Sequence, residues 1–422
     1  MTTAEALNPA PSAGAANFLG KEAAYWRLRI KGAALLMVTL GLYRFWFATD
    51  VRRFLWSNTE IGGETLEYTG LATELLGGFL LAIAILVPLY TAIAGTALAL
   101  AFDKAEEVTA AISFAVLVLL GQFALYRARR YRLTRTVFRG VRFDQHGAAW
   151  PYALYALLWW SIAVITLGLA YPWAQASLQR FKMRHTCYGD LLGSFEGSGS
   201  ALFLRGLPIW LLVVGPIVFA FFALGAMIDW DALSRVTADG ENGPLDLLAG
   251  NIGFHRIFYI GAVALGTSII AAVLLYPLFQ AVTWRWWISG LRFGDVSVNS
   301  RISIAQVYRI YLRFILYIVP FMLLVMIVGG VCVFAGSAMI GSNHGSALVQ
   351  LVSSAVTLGL YVVIALGAST IYQVVVTFAM WRLAVQSAEL SGATALAAVR
   401  ASGLPSSALG EGLADALGVG GI

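Results

Sequence analysis

Four histidines, two cysteines and 22 acidic residues are the groups in this chain that could bind a metal or arm a nucleophile. His146, His185, His255 and His344 never fall at ligand spacing, and none neighbours a cluster of cysteines or carboxylates. Cys187 and Cys332 lie in very different settings, so neither a disulfide nor a metal site is expected. The stretch GSFEGSGS (193–200) is glycine-rich, but its spacing fits neither a P-loop nor a dinucleotide fingerprint, and no nucleophile elbow occurs. The expectation is therefore no catalytic residue, no metal and no cofactor. His185 is expected to make a structural hydrogen bond in a hairpin stem.

Polar residues inside apolar runs are the next chemistry to weigh, because they are costly in a bilayer and often mark a pathway. Glu74 begins a long apolar run, Gln122, Gln175, Gln280 and Gln373 fall within or beside others, and Arg44 follows a Thr-Leu-Gly triplet. Glu74, Gln175 and Gln280 are the candidate intramembrane polar residues. The plainer expectation is that the glutamines bond helix to helix and that Glu74 sits at the interface. Arg309 and Arg313 are expected to snorkel from the start of a helix.

The elements that must position these groups are membrane helices. Of the 422 residues, 59% are hydrophobic and 12% charged, about half the charge of a soluble domain, and mean hydropathy is +0.79. Runs such as 75–102, 108–126 and 348–376 reach the roughly 20 residues that span a bilayer. The fold expected is an all-α polytopic membrane protein. Residues 1–20 read as a disordered tail, 21–390 as the transmembrane domain, and 391–422, rich in Gly, Ala and Ser, as a flexible tail.

A repeat organises the middle. RFLWSNTEIGGETLEYTG (53–70), RYRLTRTVFRGVRFDQHG (130–147) and RFKMRHTCYGDLLGSFEG (180–197) align without gaps. Each opens with Arg and an aromatic, carries Thr six residues on (Thr59, Thr136, Thr186), and ends in Gly (Gly70, Gly147, Gly197). A fourth copy, 285–302, keeps Arg285, Trp286 and Phe293 but has Leu291 in the threonine position and Ile302 in the last one. A fifth, near 381–392, is too eroded to align. Gly-Gly, Arg-Gly and Gly-Asp pairs between β-branched and aromatic residues predict short β-hairpins outside the bilayer. Arg53, Arg130, Arg180 and Arg285 are the candidate lipid and interface residues, expected to hold helix-end carbonyls or headgroup phosphates.

The repeat side is basic, whereas the opposite loops (103–107, 229–251, 341–346) hold eight of the 22 acidic residues and only Lys104 and Arg235 among the basic ones. By the positive-inside rule the motifs face the cytoplasm. Copies two and three would then share a side although only 150–177 separates them. That segment is expected to enter and return as two short helices breaking at Thr166-Leu167-Gly168, and 25–57 likewise around Thr39-Leu40-Gly41. The rival is a single span followed by a long interfacial helix. About six full spans remain.

Thr39, Leu40, Gly41, Tyr43, Trp46, Arg53, Phe54, Asn58, Thr59, Gly63, Leu66, Tyr68 and Gly70 in that order resemble the YjgN-like family of bacterial inner-membrane proteins, which carries a domain of unknown function. Arg130, Tyr131, Thr136, Arg139, Gly140 and Phe143 resemble the same family's second motif. Arg135 and His185 stand where asparagine is usual, and Leu66 where Phe is. The resemblance implies bacterial inner-membrane residence and fold, and no reaction. Two functions stay open: a transporter- or channel-like permease for a small molecule or lipid, or a non-catalytic scaffold that binds anionic lipid through its hairpins. The expected partners are anionic headgroups, and a second copy of the chain in a homo-oligomer is left open; nucleic acid is not expected. A polar cavity containing Gln175 or Gln280 would favour the permease, and dry packing there the scaffold.

Overall fold

The computed structural model describes residues 16–99, 105–228, 254–340, 347–392, 395–396, 399–400 and 409–417. The acidic connections 229–251 and 341–346, and residues 103–104 of the connection 103–107, lie outside them. Five helices are long and apolar enough to cross a membrane: Ala72–Thr96, Glu107–Thr134, His255–Ser289, Ile304–Cys332 and Leu351–Gln386. Gly199–Val213 (α7) and Gly215–Ala226 (α8) form an apolar pair bent by 51°, which makes six spans where the pair is counted as one broken span and five where it is a re-entrant loop. Gly215 and Pro216 open the second half, and proline has no N–H to continue the ladder. The protein is thus an all-α polytopic membrane protein with small strands added.

Between the spans lie two helix–break–helix units. α1 (Glu22–Val38) turns into α2 (Arg44–Ser57), and α5 (Ala149–Ile165) into α6 (Tyr171–Arg184). Both breaks fall on Thr-Leu-Gly and use the same bonds. Leu40 and Leu167 sit at φ 49° and 50°, followed by Gly41 at 89° and Gly168 at 87°. The glycine N–H reaches back to Leu36 O (2.8 Å) or Ala163 O (2.7 Å), which closes the first helix. The threonine hydroxyl donates to Leu35 O or Ile162 O and accepts from the N–H of Tyr43 or Ala170, joining the end of one helix to the start of the next. Leu40 is 96% exposed at its tip.

Each Arg-led segment folds as a hairpin with a two-residue turn. The pairs closing the turns are Ile61–Glu64, Phe138–Val141, Tyr188–Leu191 and Phe293–Val296. Gly62 and Gly63, or Arg139 and Gly140, both take positive φ, as hairpins with two central left-handed residues require. At the other two, Gly189 and Gly294 alone do, which suits a first central glycine.

The hairpins join. One antiparallel sheet runs from β11 (Ala388–Ser391) through β10 (Val296–Ser300), β9 (Leu291–Phe293), β8 (Leu191–Phe195), β7 (Thr186–Tyr188), β6 (Val141–Gln145) and β5 (Thr136–Phe138) to β4 (Glu67–Tyr68). A second sheet pairs β1 (Ala16–Phe18), β2 (Thr59–Ile61) and β3 (Glu64–Thr65), and only Leu66 separates β3 from β4. β1 also lies beside β11, so the strands follow one another round a ring. Phe138, Phe143, Tyr188 and Phe293, drawn from three hairpins, converge with Ile61, Leu66, Leu191, Leu396 and Val399 in one cluster.

The ring settles the parity problem. β6 pairs with β7, so the second and third hairpins lie at one end of the bundle, and 150–177 leaves and returns to that end. Two expectations are corrected. The disordered tail cannot extend to residue 20, because Ala16 and Phe18 are buried in β1. Nor is the C-terminal stretch all flexible: Leu409–Ala416 (α13) packs against α3 (Ala72–Ala99) and α4 (Ala105–Thr134). Its small residues allow this, with Gly412 against the Gly78 backbone and Ala414 beside Ala82, Ala124 and Ala128. The eroded fifth segment supplies β11.

Candidate functional site

The helix-to-hairpin junctions hold the four candidate arginines. Arg53 donates to Gly70 O (3.0 Å), Arg180 to Gly197 O (3.1 Å) and Arg285 to Ile302 O (3.1 Å from Nε). Each grips the carbonyl 17 residues on, where the chain leaves its hairpin. Arg130 makes no such bond among the described residues. The helix-end carbonyls expected to be their partners are taken by other groups. Thr59 donates to Leu55 O, Thr136 to Arg132 O and Thr186 to Lys182 O, all at 2.8–2.9 Å. In the preceding position Asn58 bonds Phe54 O and the His185 Nδ1 meets Phe181 O, each at 2.7 Å, so histidine fills the asparagine role.

The same threonines tie neighbouring segments together. Trp381 Nε1 donates to Thr59 Oγ1 (3.2 Å), Trp56 Nε1 to Thr136 Oγ1 (2.9 Å), and Arg129 to Thr186 Oγ1 (2.8 Å). Trp56 and Trp381 stack at 5.2 Å, joining the first segment to the last.

A charged cavity of about 420 Å³ opens between the α1–α2 unit, α3, α13 and the last span. Arg29, Arg44, Arg52, Gln373, Glu411 and Asp415 line it. Arg52 and Glu411 pair inside it, each side chain only 4% exposed, and the Tyr68 hydroxyl accepts from Arg52 (3.2 Å). Arg44 pairs with Asp415 and lies 4.2 Å from the centre of the Phe79 ring; Arg29 lies 4.6 Å from that of Phe47. Gln373 opens a π-helical segment, Gln373–Phe378, between α11 (Ala347–Tyr372) and α12 (Ala379–Gln386), and its Oε1 is buried with no hydrogen-bond partner among the described residues. Such π segments recur at functional sites. Sequence reasoning noted Gln373 and Arg44 but missed Arg29, Arg52, Glu411 and Asp415. The signal was there: Glu411 and Asp415 stand four apart, on one helical face, in a tail otherwise almost free of charge.

The other candidates lie elsewhere. Glu74 pairs with Arg135 (2.7 Å) and accepts from the Tyr131 hydroxyl (2.8 Å), fastening α3 to the end of α4. Gln280 bonds Tyr276 and Trp284 on its own helix, α9 (Phe254–Ser289), rather than another one. Gln175 is half-buried and makes no side-chain hydrogen bond among the described residues. Neither glutamine lines the groove of about 360 Å³ between α6, α7 and α9, which is apolar and bounded by Leu167, Tyr171, Pro172, Trp210, Tyr276 and Phe279. Arg313 pairs with Glu22 (2.9 Å from Nη1) across to α1. A cavity of about 350 Å³ at the fourth hairpin gathers Arg205, Arg285 and Arg292 around Glu196.

One juxtaposition was invisible to linear spacing. Strand pairing brings Cys187 Sγ to 3.3 Å from His146 Nε2, and His146 Nδ1 lies 3.7 Å from Asp144. The histidine does therefore meet a cysteine and a carboxylate. Burial, followed by the Asp144 charge, raises the thiol's pKa, whereas an activated nucleophile needs it lowered.

The family model described as "Bacterial protein of unknown function (DUF898)" matches residues 13–416. No curated protein and no solved structure matches the chain.

Proposed function

The chain belongs to the DUF898 family, which is the YjgN-like family, and within it we propose a permease-like protein of the bacterial inner membrane that takes up a small anionic molecule. The observation that carries this reading is the charged cavity at Arg29, Arg44, Arg52 and Gln373. It lies where a broken helix meets a π segment, and transporter sites form at interrupted helices. The hairpin segments are read as copies of one unit. Their ring faces the cytoplasm on the excess of arginine there, and the two helix–break–helix units dip into the bilayer from that side. No catalytic role is assigned. The polar site is placed at the charged cavity and not at Gln175 or Gln280, since the space beside those two is apolar.

A second reading keeps one specific support. The Arg205–Arg285–Arg292 cavity suits a scaffold holding anionic headgroups. An untargeted comparison of metabolites and lipids, in cells carrying wild type or Gln373→Leu at equal protein level, separates the two. Permeation predicts that a small anionic metabolite changes several-fold in the variant. A change confined to lipid composition, or none, contradicts it.

A further inference from the structure

The arginines of the charged cavity are not equivalent. Arg44 and Arg52 each hold a carboxylate of the C-terminal helix, Asp415 and Glu411. Arg29, on α1, lines the same space and meets no carboxylate among the described residues. Its neighbours there are the Tyr25 hydroxyl and the Phe47 ring, whose centre lies 4.6 Å from the guanidinium carbon, and neither carries a charge. Arg29 is only 8% exposed, and its Nε is buried with no hydrogen-bond partner among the described residues. A guanidinium keeps its proton even when buried, and an aromatic face offsets only part of its desolvation. A counter-charge that enters the cavity offsets the rest.

The second open group is of the opposite kind. Gln373 reaches the cavity from the last span, and its buried Oε1 is an acceptor in want of a donor. One ligand answers both groups if it joins an anion to a hydrogen-bond donor. The flat fork of a single guanidinium matches the two oxygens of a carboxylate. Glu411 and Asp415 line the same space, and a dianion would bring a second negative charge towards them. Phe45, Val51 and Leu75 complete walls that suit a short carbon skeleton.

We propose that the cavity selects a small monocarboxylate with a hydrogen-bond donor on its second carbon, that is, a 2-hydroxy acid or a 2-amino acid. Arg29 holds the carboxylate, and Gln373 Oε1 accepts from the donor. This names the ligand class of the permeation site and rests on that reading of the cavity.

The test follows thermal unfolding of the full chain in detergent, in neutral chloride buffer at matched ionic strength. The probes are propionate, lactate, alanine and inorganic phosphate; the first three differ only at the second carbon. Wild type is expected to show a saturable rise in Tm with lactate or alanine, which tells hydroxy acid from amino acid. Propionate should need about tenfold more for half-saturation, because it leaves Gln373 unanswered. Phosphate should give no saturable rise. Gln373→Leu should bind propionate as wild type does and lose the preference over it, a pattern that a misfolded variant cannot give. Arg29→Lys, which keeps the charge without the fork, should weaken every carboxylate, and Arg29→Met should respond to none. The proposal is overturned if no carboxylate shifts wild type, if propionate equals lactate and alanine, or if Gln373→Leu keeps the preference. A phosphate response that Arg29→Met abolishes overturns the ligand class and leaves the permease reading standing. Selective carboxylate binding, with metabolites unchanged in Gln373→Leu cells, upholds the site and overturns permeation.

Discussion

The α1–α2 and α5–α6 units have one backbone and two interiors. Thr39-Leu40-Gly41 and Thr166-Leu167-Gly168 break their helices with the same dihedral angles and the same threonine bridge. Tyr25 and Tyr152 are buried at equivalent places, and Arg53 and Arg180 grip equivalent carbonyls. Yet where the first unit has Arg29, Arg44 and Arg52, the second has Ala156, Tyr171 and Gln179. The first borders the charged cavity and the C-terminal helix; the second borders an apolar groove. The shared residues are those the backbone needs. The ones that differ carry whatever is specific to each site, so chemistry is better sought in the differences than in the repeated pattern.

The largest effect should separate the two units. Glu411→Leu removes the carboxylate that pairs with the buried Arg52, and breaking such a pair costs about 3–5 kcal/mol. Arg52→Leu together with Glu411→Leu should recover much of the loss, as read from Tm in detergent. Gln179→Leu, at the aligned place in the second unit, should change Tm little. A large loss there would erase the contrast.

Next come changes that should hurt both units alike. Gly41→Val and Gly168→Val force a β-branched residue to φ near 87–89°, at roughly 1–3 kcal/mol each. A Cβ at Gly41 meets no atom within 4 Å and one at Gly168 only grazes Trp210 (3.7 Å), so backbone strain dominates and the two losses should match. Unequal Tm shifts would mean that the breaks are not equivalent.

Smaller still are the hairpin arginines. Arg53→Gln, Arg180→Gln and Arg285→Gln each remove a charged hydrogen bond to a carbonyl, about 1 kcal/mol or slightly more. Arg130→Gln should cost less, since no such bond is made. An Arg130 variant that melts lowest of the four would contradict the assigned role.

Lys182, whose ammonium is desolvated, adds a pH dependence with a definite sign. Its folded pKa near 7 lies below its ordinary 10.5, so between those values the unfolded chain binds more protons. Stability should then rise with pH from about 7 towards 10.5. Arg129 and Arg132 face Lys182 but stay charged throughout. Lys182→Met should flatten that part of the profile, and an unchanged slope would assign it to another group.

Local features of this fold were legible in the sequence. The helix breaks follow from Thr-Leu-Gly, where threonine can bond both ways and glycine tolerates positive φ. The two-residue turns follow from Gly-Gly, Arg-Gly and Gly-Asp. Closure of the hairpins into one ring was not legible, since short strands such as Glu67–Tyr68 carry no pairing signal of their own. The fifth segment keeps an arginine, Arg382, but has Ala388 in the threonine position, and it still completes the ring through backbone bonds at Ser297–Ser391 to Ser300–Ala388. The C-terminal helix was missed because its small residues look weak by hydropathy, while in tight packing against Gly78 and Ala82 they are what fits. The cavity was missed because its parts come from residues 29 to 415, and only the fold brings them together.

The central claim is that every hairpin lies on one face of the membrane, the cytoplasmic one. The direct measurement is labelling of intact and lysed cells with an impermeant thiol reagent, in a chain whose Cys187 and Cys332 are replaced by alanine. Single Ser57→Cys, Ser198→Cys and Ser342→Cys changes are then compared; Ser57 and Ser198 are exposed at the ring. The account predicts that Ser342→Cys labels in intact cells and that Ser57→Cys and Ser198→Cys label only after lysis. Labelling of Ser198→Cys from outside, with Ser57→Cys protected, would put the first and third hairpins on opposite faces and contradict the ring.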